Sequence, residues 1–217
     1  MSSKYERELR QVFAGLAKGV DAIIKSCSEV EKAKMRLIEK RPFLVVRAAG
    51  SGIEGSGDLL ALRGDICFPI EVKSSKEPKL YLSGRTVEQY NALVYEGNRS
   101  CLMPLYAYRL KGVRGDSWRI FRVETDTLHG KLRKLAPSLP SLPLTRNGKP
   151  YLNWNDGMPL NEFIALICSK SDLQENMKNL QHRSNTVSNL IGHQDIDRNN
   201  PISPKRNILE ELQKRRL

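Results

Sequence analysis

Glu71 and Lys73 stand two residues apart in Ile66-Cys-Phe-Pro-Ile-Glu-Val-Lys73, a segment that is otherwise apolar. In an extended strand, residues i and i+2 share a face, so a carboxylate and an ammonium group project side by side. Charge isolated in an apolar strand is costly unless a metal or a partner compensates it. Asp58 opens the preceding strand, and only Arg63-Gly64-Asp65 separates the two, which reads as a tight turn between neighbours. Asp58 and Glu71 are thereby expected to converge on one cation, with the Val72 carbonyl as a further oxygen ligand and Lys73 placed to orient a water. Hard divalent metals take oxygen ligands, and the chemistry such a set serves is metal-assisted phosphodiester hydrolysis. The alternative is purely structural: Asp58 caps a turn and Glu71-Lys73 is a surface pair on an edge strand.

The elements that would position these groups are legible from periodicity. Residues 4–26 carry apolar side chains at helical spacing, interrupted at Gly15 and Gly19, and Ser28-x-x-Glu31 is a capping box opening a second helix that ends before Pro42. Phe43–Ala49 reads as a β-branched strand, Gly50–Gly57 as a loop, and 58–62 with 66–73 as a hairpin. A basic loop (Lys76 to Lys79), a short strand Leu80–Leu82, a helix Thr86–Glu96 and strands at 103–110 and 117–123 complete the pattern. This predicts an α/β fold: a mixed central β-sheet flanked by helices, with an extra N-terminal helix and a C-terminal extension. The expected organisation is 1–27 N-terminal helical extension, 28–128 core, 129–169 Pro-rich segment and short helix at Asn161–Cys168, and 170–217 polar, disorder-prone tail ending in a basic helix, Ile208–Leu217.

With 217 residues and 40% apolar content, one core is expected. A formal net charge of +12 favours polyanions, and nucleic acid is the leading partner class. Cys27, Cys67, Cys101 and Cys168 are widely spaced, as are His129, His182 and His193, so neither a zinc cluster nor a disulfide framework is indicated. A charged N-terminus and the lack of a spanning apolar run predict an intracellular, soluble protein, cytoplasmic or nucleoid-associated, with no membrane partner.

Gly50-Ser-Gly52-Ile-Glu-Gly55 satisfies the GxGxxG pattern of dinucleotide-binding oxidoreductases. That fold requires a helix directly after the glycines, whereas the residues following them read as strand and turn.

Taken together, Glu31, Phe43-Leu-Val-Val-Arg47, Gly50-Ser51-Gly52, Gly57-Asp58-Leu59 and Glu71-Val72-Lys73 resemble, in order and interval, the archaeal-type Holliday-junction resolvases of the PD-(D/E)XK nuclease superfamily. The resemblance spans roughly residues 28 to 126 and implies a restriction-endonuclease-like fold. It further implies Asp58 and Glu71 as metal ligands, Lys73 as the catalytic lysine, Glu31 as the helix-borne acidic residue and a further candidate ligand, and Ser51 as a loop residue approaching the scissile region. Gly57 stands where the family usually has proline. Tyr5-Glu6-Arg7-Glu8 also resembles the family's acidic opening but demands an insertion before the first strand, so spacing favours Glu31 over Glu6 or Glu8.

The resemblance implies a structure-selective endodeoxyribonuclease that resolves four-way junctions by paired cuts, uses Mg²⁺ with Mn²⁺ as a substitute, and acts as a homodimer, because two strands of a two-fold junction are cut. Lys32, Arg47, Lys76, Lys79 and Arg85, with Ser51, are the expected DNA contacts, alongside Lys34 and Arg36, and they would grip backbone rather than read bases. A nuclease for other DNA structures and a non-catalytic DNA-binding module are the competing readings.

Overall fold

The structure, a computed structural model, describes residues 3–48 and 57–168, all within one compact unit. Ser51 and its glycine loop, the polar tail and the basic helix expected at its end lie outside the described residues.

The N-terminal helix is two, α1 (Ser3–Phe13) and α2 (Ala17–Ile24), parted at Gly15, whose φ of 65° lies in the left-handed region open chiefly to glycine. The capping box at Ser28 and Glu31 starts α3 (Glu29–Met35), and α4 (Leu37–Lys40) follows before Pro42. Strands β1 (Leu44–Arg47), β2 (Leu59–Arg63) and β3 (Ile66–Ser75) form an antiparallel meander. Next come β4 (Lys79–Tyr81), α5 (Arg85–Ser100), β5 (Leu105–Leu110) and β6 (Trp118–Arg122). β5 lies parallel to β3, with α5 in the crossover, and antiparallel to β6. The main sheet has six strands in the order β1-β2-β3-β5-β6 and then the two-residue strand β8 (Met158–Pro159), the mixed, helix-flanked architecture expected from the sequence.

Residues beyond 128 are built into this unit. A short α6 (Gly130–Leu135) precedes β7 (Tyr151–Asn153), which pairs with β4 as a separate two-stranded ribbon. β8 (Met158–Pro159) adds to β6, and α7 (Leu160–Ile167) buries Leu160, Phe163, Ile164 and Ile167. Phe163 packs between Phe13 and Phe68 with its ring tilted to both, at centroid distances of 6.0 and 5.8 Å. Arg63, in the Arg-Gly-Asp turn, donates to the carbonyls of Arg41 and Ile167 and lies 4.1 Å from the Phe43 ring centre, so it ties the hairpin to the end of α7.

Two layers of core result. Phe68, Ile70 and Val72 of β3 face the side covered by α1, α2, α3 and α7, while Tyr106, Tyr108, Phe121 and Val123 face α5. Strand alternation therefore turns Glu71 and Lys73 toward the α5 side, where they lie opposite Tyr106 and Tyr108 in the parallel register.

Candidate functional site

The site forms where β2 begins, against the middle of β3. Asp58 donates its backbone N–H to the Ile70 carbonyl at 2.8 Å, and its side chain continues the interaction, Oδ2 accepting the Val72 N–H at 2.8 Å. A carboxylate thus takes the place that a ladder carbonyl would occupy had β2 begun one step earlier. The N–H and C=O of one strand residue point the same way. The Val72 carbonyl accordingly faces past the start of β2 toward Asp58, whereas the Ser75 carbonyl, of opposite parity, is taken by Lys111 beside β5.

Gly57 makes this turn possible. Its φ is 69°, and a Cβ there would sit 2.7 Å from the Ile70 oxygen. Proline, fixed near −65°, is excluded from that conformation, which accounts for glycine at the position.

Glu71 is 5% exposed, and Lys73 Nζ donates to its Oε1 at 2.7 Å and to Oε1 of Gln89, on α5, at 2.9 Å. Burial, then the nearby Glu71 charge, pushes the Asp58 carboxyl up to about 6; Glu6 adds to this, and the Val72 N–H and Lys73 oppose it. Tyr106 lies in the same field: burial and then Glu71 raise its phenol, and its hydroxyl is buried with no hydrogen-bond partner among the described residues.

Of the residues the sequence singles out, Asp58, Glu71, Val72 and Lys73 come together as expected. Glu31 does not join them. Its Oε2 accepts from both the Ser28 N–H and Oγ at 2.8 Å, bonds that hold its carboxyl below the ordinary glutamate value, and the charges of Arg119 and Lys34 act on it in the same direction. The acidic residue that α1 brings to Asp58 is Glu6, only 3% exposed, and paired with Arg47 at 3.0 Å. Glu31 stands on α3, which packs against α2 and α7, whereas α1 lies against the meander. Glu8 has a third role, accepting from Arg109 Nε at 3.0 Å and Trp118 Nε1 at 2.9 Å and so anchoring α1 to β5 and β6.

The expected DNA contacts divide as well. Arg47 is engaged with Glu6, Lys32 with Glu29 at 2.8 Å, Lys34 with Glu162, and Arg36 with Asp21 and Glu39. Lys76, Lys79 and Arg85 are exposed and carry no ion pair among the described residues. Gln89 and Tyr106 escaped sequence reasoning: each carries ordinary helix or strand periodicity, and only the crossover that lays α5 beside β3 and β5 reveals them.

Among the described residues, no group of three or more His, Cys, Asp and Glu gathers to hold a metal unaided. Magnesium commonly takes one or two carboxylates and completes its shell with water and phosphate oxygens. The donor set here fits such an ion: two carboxylates whose mutual repulsion raises the proton affinity of Asp58, a main-chain carbonyl on the same side, and an orphaned Tyr106 hydroxyl able to meet a water. No described helix is long and apolar enough to cross a membrane.

A family model described as archaeal Holliday junction resolvase (Hjc) matches residues 24–134. Among solved structures, Hjc from Archaeoglobus fulgidus, a Holliday junction resolvase from an archaeal hyperthermophile, is 26% identical, with a TM-score of 0.38, over 56% of this chain and 81% of that one. No curated protein matches. The match to the family model takes in the whole β2–β3 site and over half of the sequence, so the chain belongs to the archaeal Holliday junction resolvase family.

Proposed function

We propose that this protein is a structure-selective, metal-dependent endodeoxyribonuclease that resolves four-way DNA junctions by paired phosphodiester hydrolysis, acting as a homodimer, through the PD-(D/E)XK chemistry of Asp58, Glu71 and Lys73. The observation that carries the reading is the convergence of the Asp58 and Glu71 carboxylates at one strand end with Lys73 Nζ 2.7 Å from Glu71.

Asp58, Glu71 and the Val72 carbonyl would hold Mg²⁺, or Mn²⁺ in its place, which when bound supplies positive charge for the scissile phosphate and acidity for the attacking water. Lys73, tethered between Glu71 and Gln89, keeps an ammonium group fixed beside the reacting phosphate, a preorganised charge that needs no rearrangement as negative charge develops. Glu6, held by Arg47, adds negative potential at Asp58 and favours a cation there. Exposed Lys76, Lys79 and Arg85 are suited to backbone phosphates on the same side.

Support for the homodimer comes from the far end of the meander. Leu44, Val46, Leu60 and Leu62 are cross-strand partners on one face, and Leu44 and Val46 are 69% and 45% exposed. An apolar sheet face left open is the kind of surface that a second copy covers.

The test is cleavage of a labelled four-way junction against a linear duplex of the same sequence, with and without Mg²⁺. Paired symmetric nicks in the junction alone, abolished in Asp58→Asn and Glu71→Gln, are the expected outcome. Equal cutting of both substrates would move the activity to another DNA structure, and binding without cutting would make the protein a DNA-binding module.

A further inference from the structure

The ribbon of β4 and β7 presents two aromatic rings to the outside. Tyr81 and Tyr151 lie directly opposite in the register, stacked with centroids 5.4 Å apart and planes inclined by 30°, and Tyr81 is 59% exposed. Alternation sends Leu80 and Leu152 inward, onto the core beneath α5, so the outer face consists of Lys79, Tyr81, Tyr151 and Asn153. Exposed cations surround it: Lys76 and Arg85 flank β4, and Lys149 precedes β7. The opposing charges nearby are Glu77 and Asp156, and the latter accepts from Asn153 Nδ2 at 2.8 Å.

An exposed aromatic surface within a positive rim is the combination that binds unstacked nucleobases, since every base has a π-face and every nucleotide a phosphate. Its position suits the Asp58–Glu71–Lys73 site. Arg85 is one turn of α5 from Gln89, which touches Lys73, and the four residues from Tyr81 to Arg85 reach at most about 14 Å. Tyr151 lies beyond the residues that the family model matches, so half of the pair comes from outside that match.

We propose that Tyr81 and Tyr151 form a stacking platform for a nucleobase unstacked at the branch point of the bound junction, with Lys76, Lys79 and Arg85 on the adjoining phosphates. Where strands exchange, stacking along each arm is interrupted and base faces become available; mid-arm, every face is already covered. The proposal rests on the junction being the substrate.

The experiment uses the full chain without divalent metal, and a four-way junction carrying 2-aminopurine either at the branch point or in the middle of an arm. Binding of the wild type should change the fluorescence of the branch-point probe and not of the mid-arm probe. Tyr81→Leu should weaken junction binding about 5- to 100-fold and remove the fluorescence change, while Tyr81→Phe keeps both. Lys79→Gln should lower the salt dependence of binding by about one phosphate contact. Wild-type behaviour of Tyr81→Leu, in a protein that still cuts junctions with Mg²⁺, would overturn the platform and leave the nuclease standing. Equal responses from both probes, or a melting temperature that falls in Tyr81→Leu in step with affinity, would also overturn it, the latter in favour of a merely structural ring pair. A wild type that neither binds nor cuts the junction would remove the substrate reading and the platform with it.

Discussion

The Val72 N–H donates to Asp58 Oδ2 across 2.8 Å, so the carboxylate at the start of β2 is fixed against the strand that carries Glu71 and Lys73. One bond thus sets the spacing of the proposed ligands, and it does so at an electrostatic cost, because Asp58 is buried beside Glu71 and Glu6. Without a cation, Asp58 holds its proton up to about pH 6, against an ordinary value of 3.8. The sign follows from linkage: a carboxyl that binds its proton more tightly when folded contributes stability below pH 3.8, and that contribution is lost as pH rises through about 6. Metal-free protein should therefore gain on the order of 1–2 kcal/mol from Asp58 between pH 7.5 and 5, allowing for solvent screening. Saturating Mg²⁺ should cancel the gain. Asp58→Asn should flatten the metal-free profile and melt about 2–6 °C higher at pH 7.5, while cleaving at least about 10³-fold more slowly. Calorimetry across pH with EDTA or Mg²⁺ checks this, and an unchanged profile in Asp58→Asn would refute it.

The assignment of the helix-borne acid gives a paired prediction. Glu6→Gln removes a buried charge next to Asp58 and releases Arg47, and should slow cleavage about 10- to 100-fold while weakening metal affinity. Glu31→Gln should leave cleavage within about twofold of wild type, since the amide oxygen still accepts the Ser28 N–H, and cost only about 0.5–1 kcal/mol from the capping box. Single-turnover cleavage with Mg²⁺ titration decides between them; a large loss in Glu31→Gln alone would return the role to α3.

What the sequence disclosed and concealed follows from the range of the interactions. Asp58, Glu71 and Lys73 were legible because a hairpin and a strand period of two place them, both local rules. The Glu31 cap was legible too, but its proximity to the site was not, since the path of α1 is set by Phe13, Leu9 and Val12 packing against strands far along the chain. Gln89 and Tyr106 meet Lys73 and Glu71 only through the parallel β3–β5 crossover, and no pattern within either segment announces it. The segment after 128 read as Pro-rich and irregular, yet β7 and β8 complete the sheets. Strands of three and two residues are too short to show a period.

Gly57 is the backbone hinge of the site. Gly57→Ala places a Cβ 2.7 Å from the Ile70 oxygen in a left-handed conformation and should cost about 2–4 kcal/mol. Gly57→Pro adds an impossible φ and should cost more, despite matching the residue usual in the family. In both, Asp58 is displaced from the Val72 N–H, so cleavage should fall further than stability alone requires at a temperature where the fold persists. Denaturant melts beside cleavage rates are the check, and a Gly57→Pro variant as active and stable as wild type would contradict the turn geometry.

The proposed homodimer makes the open apolar face on the meander the link between assembly and the paired cut. Leu44→Glu puts a charge at a position 69% exposed in the single chain, next to Val46 and opposite Leu62. In a monomer that substitution is nearly neutral, within about 0.5 kcal/mol; in an interface it buries an unpaired carboxylate and should shift the protein to monomer at micromolar concentration. The Asp58–Glu71–Lys73 site lies on β2 and β3 rather than β1, so each monomer keeps a complete site. Leu44→Glu should therefore still nick junctions singly while losing the simultaneous second cut. Sedimentation velocity and a supercoiled cruciform plasmid, which separates nicked from linear product, read the two effects. If Leu44→Glu stays dimeric and linearises the plasmid as the wild type does, the partner does not dock on this face.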